Sequence, residues 1–74
     1  MDQTKVYDSS EFHDELIAVT IKEVADILDE RGYNAINQIV GYLMSGDPGY
    51  ISSYHDARKK IMSLERTKIL EFFI

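Results

Sequence analysis

Cysteine is absent from all 74 residues, so neither disulfides nor thiolate-bound zinc can staple this chain. Long apolar runs are missing too. Nothing approaches the ~20 residues that cross a bilayer, and Met1-Asp2-Gln3-Thr4-Lys5 lacks the basic start and hydrophobic middle of a signal peptide. Basic charge is scarce: thirteen acidic residues against eight basic ones give a formal −5, which opposes attraction to nucleic-acid phosphates and anionic lipid. The expected setting is the cytoplasm, without nucleic acid or membrane insertion.

Catalytic and ligand-binding patterns are missing in turn. His13 and His55 belong to no H-x-x-x-H or H-E-x-x-H spacing, so no metal site is expected. Carboxylates cluster as Glu11, Asp14, Glu15 and as Asp26, Asp29, Glu30, but helical spacing spreads them over wet faces instead of aiming a pair into a pocket. G-x-S-x-G does not occur, and Gly46-Asp47-Pro48-Gly49 has neither the lysine nor the length of a phosphate-binding loop. The residues therefore point to a protein that is not an enzyme and carries no cofactor.

No segment alternates polar and apolar residues at the two-residue period of a half-buried strand, and there is no internal repeat. The pattern is helical throughout. Residues 1–8 offer only Val6 and Tyr7 for burial and read as a flexible N-terminal arm ahead of a helical domain over 9–74. Asp8-Ser9-Ser10-Glu11 has the form of a capping box, and Phe12, Leu16, Ile17, Thr20, Val24, Ile27 and Leu28 follow at three- and four-residue steps. These predict a long amphipathic helix over about 9–31, with Val19 and Ile21 as apolar extras on a second face.

Gly32 can take the left-handed turn that ends this helix, and Asn34 can cap the next. The second helix carries Ile36, Ile39, Val40, Leu43 and Met44, a set dense enough to predict full burial. Gly41 inside it calls for a close helix-to-helix approach. Gly46-Asp47-Pro48 then supplies stop, cap and first-turn proline. Ser53-Tyr54-His55-Asp56 reads as another capping box, launching a helix through Ala57, Ile61 and Leu64. The end of the chain, Ile69, Leu70, Phe72, Phe73 and Ile74, is too apolar for a free tail. The fold class is all-α, with four to five short helices, and a 45% hydrophobic chain this short is expected to self-associate as a compact helical homodimer.

One compact basic run stands out, Arg58-Lys59-Lys60, joined by Arg66 one or two turns later; it is a candidate seat for a phosphate or an acidic partner segment. Tyr33, Tyr42, Tyr50 and Tyr54 are candidates for lining a small-ligand groove between subunits.

The stretch Gly32-Tyr33-Asn34-Ala35-Ile36-Asn37-Gln38-Ile39-Val40-Gly41-Tyr42-Leu43-Met44-Ser45-Gly46-Asp47-Pro48-Gly49-Tyr50, with Asp56-Ala57-Arg58 and Leu64-Glu65-Arg66 after it, closely resembles the IreB/ReoM family of small regulators from low-GC Gram-positive bacteria. The likeness runs without a gap from about Thr4 to Leu70. It implies a non-enzymatic, all-helical homodimer downstream of a membrane serine/threonine kinase and its phosphatase. It also implies phosphorylation of Thr4, by the match of Asp2-Gln3-Thr4 to the family's D-x-T, and control of Clp-protease turnover of an enzyme of peptidoglycan synthesis.

The departures are Ala35 for a proline, Gly49 for an alanine, Ser53, Met62 and Ser63 where arginines are frequent, Thr67-Lys68 for an acidic pair, and a family tail that extends past the position of Ile74. Two other readings remain beside the phosphorylated regulator: a constitutive helical scaffold, and a small-ligand sensor with its groove at the dimer interface.

Overall fold

The computed structural model describes residues 9–73; the N-terminal arm, with Thr4, lies outside them, as do Asp8 and Ile74. The described residues form α1 (Ser9–Glu30), α2 (Ala35–Ser45), two short 3-10 turns (Pro48–Tyr50 and Tyr54–Asp56), α3 (Ala57–Met62) and α4 (Arg66–Phe72). Among them there is no strand, and the all-α architecture follows the periodicity.

The punctuation residues do what their chemistry dictates. Gly32 sits at φ 88°, its N–H donating to the Asp29 carbonyl at 2.9 Å while the Tyr33 N–H reaches back to Leu28 at 3.0 Å. That pair is a Schellman closure, which satisfies carbonyls the end of α1 would otherwise leave open. Two residues on, the Asn34 side chain accepts from the Asn37 N–H at 3.0 Å and caps α2. Gly46, at φ 78°, closes α2 with its N–H on the Tyr42 carbonyl at 2.7 Å, and Asp47 caps the following turn by accepting from Gly49 N–H at 2.8 Å.

α1, about 33 Å long at 1.5 Å per residue, is the spine against which α2, α3 and α4 pack. It contributes Ile17, Val24 and Leu28 to the core. α2 adds Ala35, Ile39, Tyr42 and Leu43, and the C-terminal half adds Ile51, Ala57, Ile61, Leu64 and Ile69. The Gln38 side chain accepts from the Ser52 N–H at 2.9 Å and ties the connecting loop to α2.

Four local expectations need correction. Leu16 is exposed and Thr20 and Ile27 are only half-buried, because the core side of α1 centres on Ile17, Val24 and Leu28. α2 is not fully buried: Ile36, Val40 and Met44 face outward, since one chain has layers enough to cover only one side of this helix. Gly41 admits no neighbouring helix; it admits the ring of Tyr50, whose Cε1 would lie 2.8 Å from a Cβ at that position. The Ser53 capping box does not form either. His55 and Asp56 take left-handed φ of 46° and 62°, Ser53 makes no side-chain cap bond, and α3 begins only at Ala57. The helix that starts there stops at Met62, and α4 is a separate element in which Ile69 is buried and Phe72 half-buried.

Candidate functional site

Two surfaces carry the chemistry of the described residues. The first is the basic face of α3. Arg58, Lys59, Ser53, Asp56, Met62 and Ser63 line an open cavity of about 610 Å³, and a smaller neighbour of about 260 Å³ brings in Lys60, Thr20 and Glu23. Arg58, Lys59 and Lys60 thus share a region of the surface, but each has different obligations. Arg58 Nε donates to the Ile51 carbonyl at 2.8 Å, which holds the loop before α3 in place. Lys60 Nζ pairs with Glu23 Oε2 across to α1 at 3.2 Å, a half-exposed pair of modest worth. Lys59 is exposed. With Asp56 and Glu23 lining the same cavities, the potential is mixed, which weakens any general pull on anions.

Arg66 lies elsewhere. Its Nη1 donates to the Leu43 carbonyl at 2.8 Å, and its guanidinium stacks close over Gly46, where a Cβ would meet Cζ at 3.2 Å. Leu43 is among the last four carbonyls of α2, so Arg66 serves as a side-chain cap and a cation at the negative end of that helix. Sequence spacing placed it with the basic run, whereas the break between α3 and α4 turns it to the end of α2.

Beside the basic face, the Tyr54 and His55 rings stack with centroids 4.1 Å apart, and Arg31 Cζ lies 5.4 Å from the Tyr54 centroid. His13 is exposed, and no group of three or more potential metal ligands occurs among the described residues.

The second surface is an apolar groove of about 510 Å³ between α1, α2 and α4. Ala35, Ile39 and Leu43 underlie it, Ile21 and Ala25 flank it from α1, and Leu70 and Phe73 close it from the end of the chain. The ridge Ile36, Val40, Met44 borders it and is 73%, 49% and 80% exposed. Reading the sequence missed this face as a surface. The signal was there: an apolar set covering more of α2 than one contact layer can bury.

None of the four candidate tyrosines lines this groove. Tyr42 is in the core, Tyr50 covers Gly41, Tyr54 belongs to the stack, and Tyr33 is exposed after the close of α1.

No described helix is long and apolar enough to cross a membrane. A family model described as "IreB regulatory phosphoprotein" matches residues 2–74.

Proposed function

The chain belongs to the IreB regulatory phosphoprotein family, and from that membership we propose a non-catalytic cytoplasmic regulator that works as a homodimer and is switched by phosphorylation of Thr4. The observation that carries this reading is the extent of the match, which takes in Thr4 together with the whole helical body. A serine/threonine kinase and its phosphatase set the state of Thr4. The output is control of peptidoglycan synthesis, through Clp-dependent turnover of an enzyme that commits wall precursor.

The switch has a physical form. Phosphate adds about −1.5 to −2 charge and three acceptor oxygens to Thr4, four residues ahead of Asp8 and seven ahead of Glu11. Like charges drive the leading segment away from the start of α1. The competing form seats the phosphate on the α3 face, where Lys59 is the leading contact because Lys60 is shared with Glu23 and Arg58 with the Ile51 carbonyl.

The test compares wild type, Thr4→Ala and Thr4→Glu in cells with and without the kinase, reading phosphate on Thr4 and the level of the wall-precursor enzyme. Phosphate on Thr4, with opposite effects of the two variants, is expected. Unmodified Thr4 under wall stress, or three indistinguishable proteins, would leave a constitutive scaffold instead.

A further inference from the structure

Leu16, Val19, Thr20 and Glu23 fall at i, i+3, i+4 and i+7 and so form one stripe along α1. The stripe begins apolar and ends among cations. Leu16 and Val19 are 49% and 61% exposed and line no part of the groove between α1, α2 and α4, while Thr20 and Glu23 line the smaller cavity of the α3 face together with Lys59 and Lys60. We propose that the N-terminal arm folds back antiparallel along this stripe of its own chain, Val6 covering Leu16 and Val19, and Thr4 arriving beside Lys59. This rests on the phosphorylation of Thr4 proposed above and gives the modified residue its seat.

Chain length decides how far the arm reaches. It lies outside the described residues and joins α1 at Ser9. Three residues of extended chain span about 10 Å and five span about 17 Å, whereas Leu16 and Thr20 stand about 10 Å and about 16 Å along the helix from Ser9 at 1.5 Å per residue. Val6, three residues ahead of Ser9, therefore comes level with Leu16, and Thr4, five ahead, comes level with Thr20. The length of a lysine side chain makes up what the reversal at Tyr7-Asp8 consumes.

The order of side chains matches the stripe. Alternate residues of an extended segment share a side, so Asp2, Thr4 and Val6 face α1 together and Lys5 faces away. Running back from Ser9, the arm then presents an apolar residue to Leu16 and Val19, a hydroxyl at the level of Thr20, and a carboxylate toward the cations of α3. Glu23 does not oppose this, because Lys60 already holds it at 3.2 Å. A phosphate on Thr4 adds charge-assisted hydrogen bonds to the exposed Lys59. At the level of Thr20 it also stands about 13 Å along the axis from Glu11, beyond the ~8 Å over which salt leaves exposed charges interacting. Folding back thus removes the repulsion that would drive a phosphate from the start of α1.

Because the chain has no cysteine, a disulfide trap reads the arm directly. Val6→Cys is combined in the full chain with Leu16→Cys, with Val19→Cys, or with Ala18→Cys, an exposed position about 160° around α1 from Leu16. Each pair is equilibrated with reduced and oxidised glutathione, and intact mass separates bonds within one chain from bonds between chains. The Leu16 and Val19 pairs should close within the chain with an effective concentration roughly tenfold or more above the Ala18 pair, since a disulfide needs its Cα atoms within about 7 Å. All three partner positions are exposed, so folding should survive, with far-UV circular dichroism unchanged.

The same pairs, made by total synthesis with phosphothreonine at position 4, test the seat. The phosphate should raise the effective concentration of the Leu16 pair severalfold, and Lys59→Gln should abolish the rise while Lys59→Arg keeps it. Equal closure of the Leu16 and Ala18 pairs, or bonds only between chains, overturns the fold-back. A phosphate that lowers closure, or a rise indifferent to Lys59→Gln, overturns the seat. None of these results depends on a kinase, so finding Thr4 unmodified in cells would sink the phosphorylation reading and leave the path of the arm to stand or fall on the trap.

Discussion

Replacing Gly41 by alanine sets two effects of opposite sign against each other. In a helix interior the change is worth about 0.8–1 kcal/mol in favour of alanine, because glycine loses more backbone freedom on folding. Here the new methyl would lie 2.8 Å from Cε1 and 3.0 Å from Cγ of Tyr50. Cγ is the root of the ring, so relief requires moving the whole side chain or the turn Pro48–Tyr50 that carries it. That turn is held by the Asp47 cap and by the Tyr50 N–H on the Asp47 carbonyl at 3.1 Å. Overpacking of this kind costs about 1–3 kcal/mol. The net expectation is a loss of roughly 0–2 kcal/mol, up to about 13 °C in Tm for a domain of this size.

The informative form is a double-mutant cycle. In a Tyr50→Ala background the clash is gone, and Gly41→Ala should stabilise by about 1 kcal/mol, so the coupling between the sites is about 1–3 kcal/mol. Urea titrations at one fixed protein concentration provide the four stabilities. Equal effects of Gly41→Ala in both backgrounds would refute the close-approach reasoning.

Two further outcomes follow from the helix ends. Arg66→Met should cost about 1.5–3 kcal/mol by removing a charged donor from the Leu43 carbonyl, and Arg66→Lys should not restore it, because the ammonium lacks the planar fork that lies over Gly46; chemical denaturation of both variants checks this. Gly32→Ala meets nothing within 4 Å at φ 88°, so its loss of about 1–2 kcal/mol reports backbone strain alone, and Gly32→Asn should recover part of it in the same assay.

Residues whose role is local could be read directly. Gly32, Asn34, Gly46 and Asp47 act within a few bonds of themselves, and their hydrogen bonds appear where the sequence placed them. Ser53-Tyr54-His55-Asp56 misled because a local bond lost to longer-range ones. The Ser52 N–H is held by Gln38, and the Ser52 carbonyl accepts from the Arg58 N–H at 3.1 Å, which leaves His55 and Asp56 in the left-handed region. The basic candidates show the same limit. Arg58, Lys59 and Lys60 stay together because they are neighbours on one helix, but Arg66 is turned to α2 by a helix break that no periodicity announced.

What the amino-acid order determined by itself was helix type, the stop and start residues on either side of α2, the absence of cysteine chemistry and the family signature, all of which depend on neighbours along the chain. Tertiary structure alone decided which side of α2 faces water, what fills the space above Gly41 and which cations are already engaged. Those outcomes depend on how many layers 74 residues can stack around α1, and with too few to enclose α2, the ridge Ile36, Val40, Met44 is left facing outward.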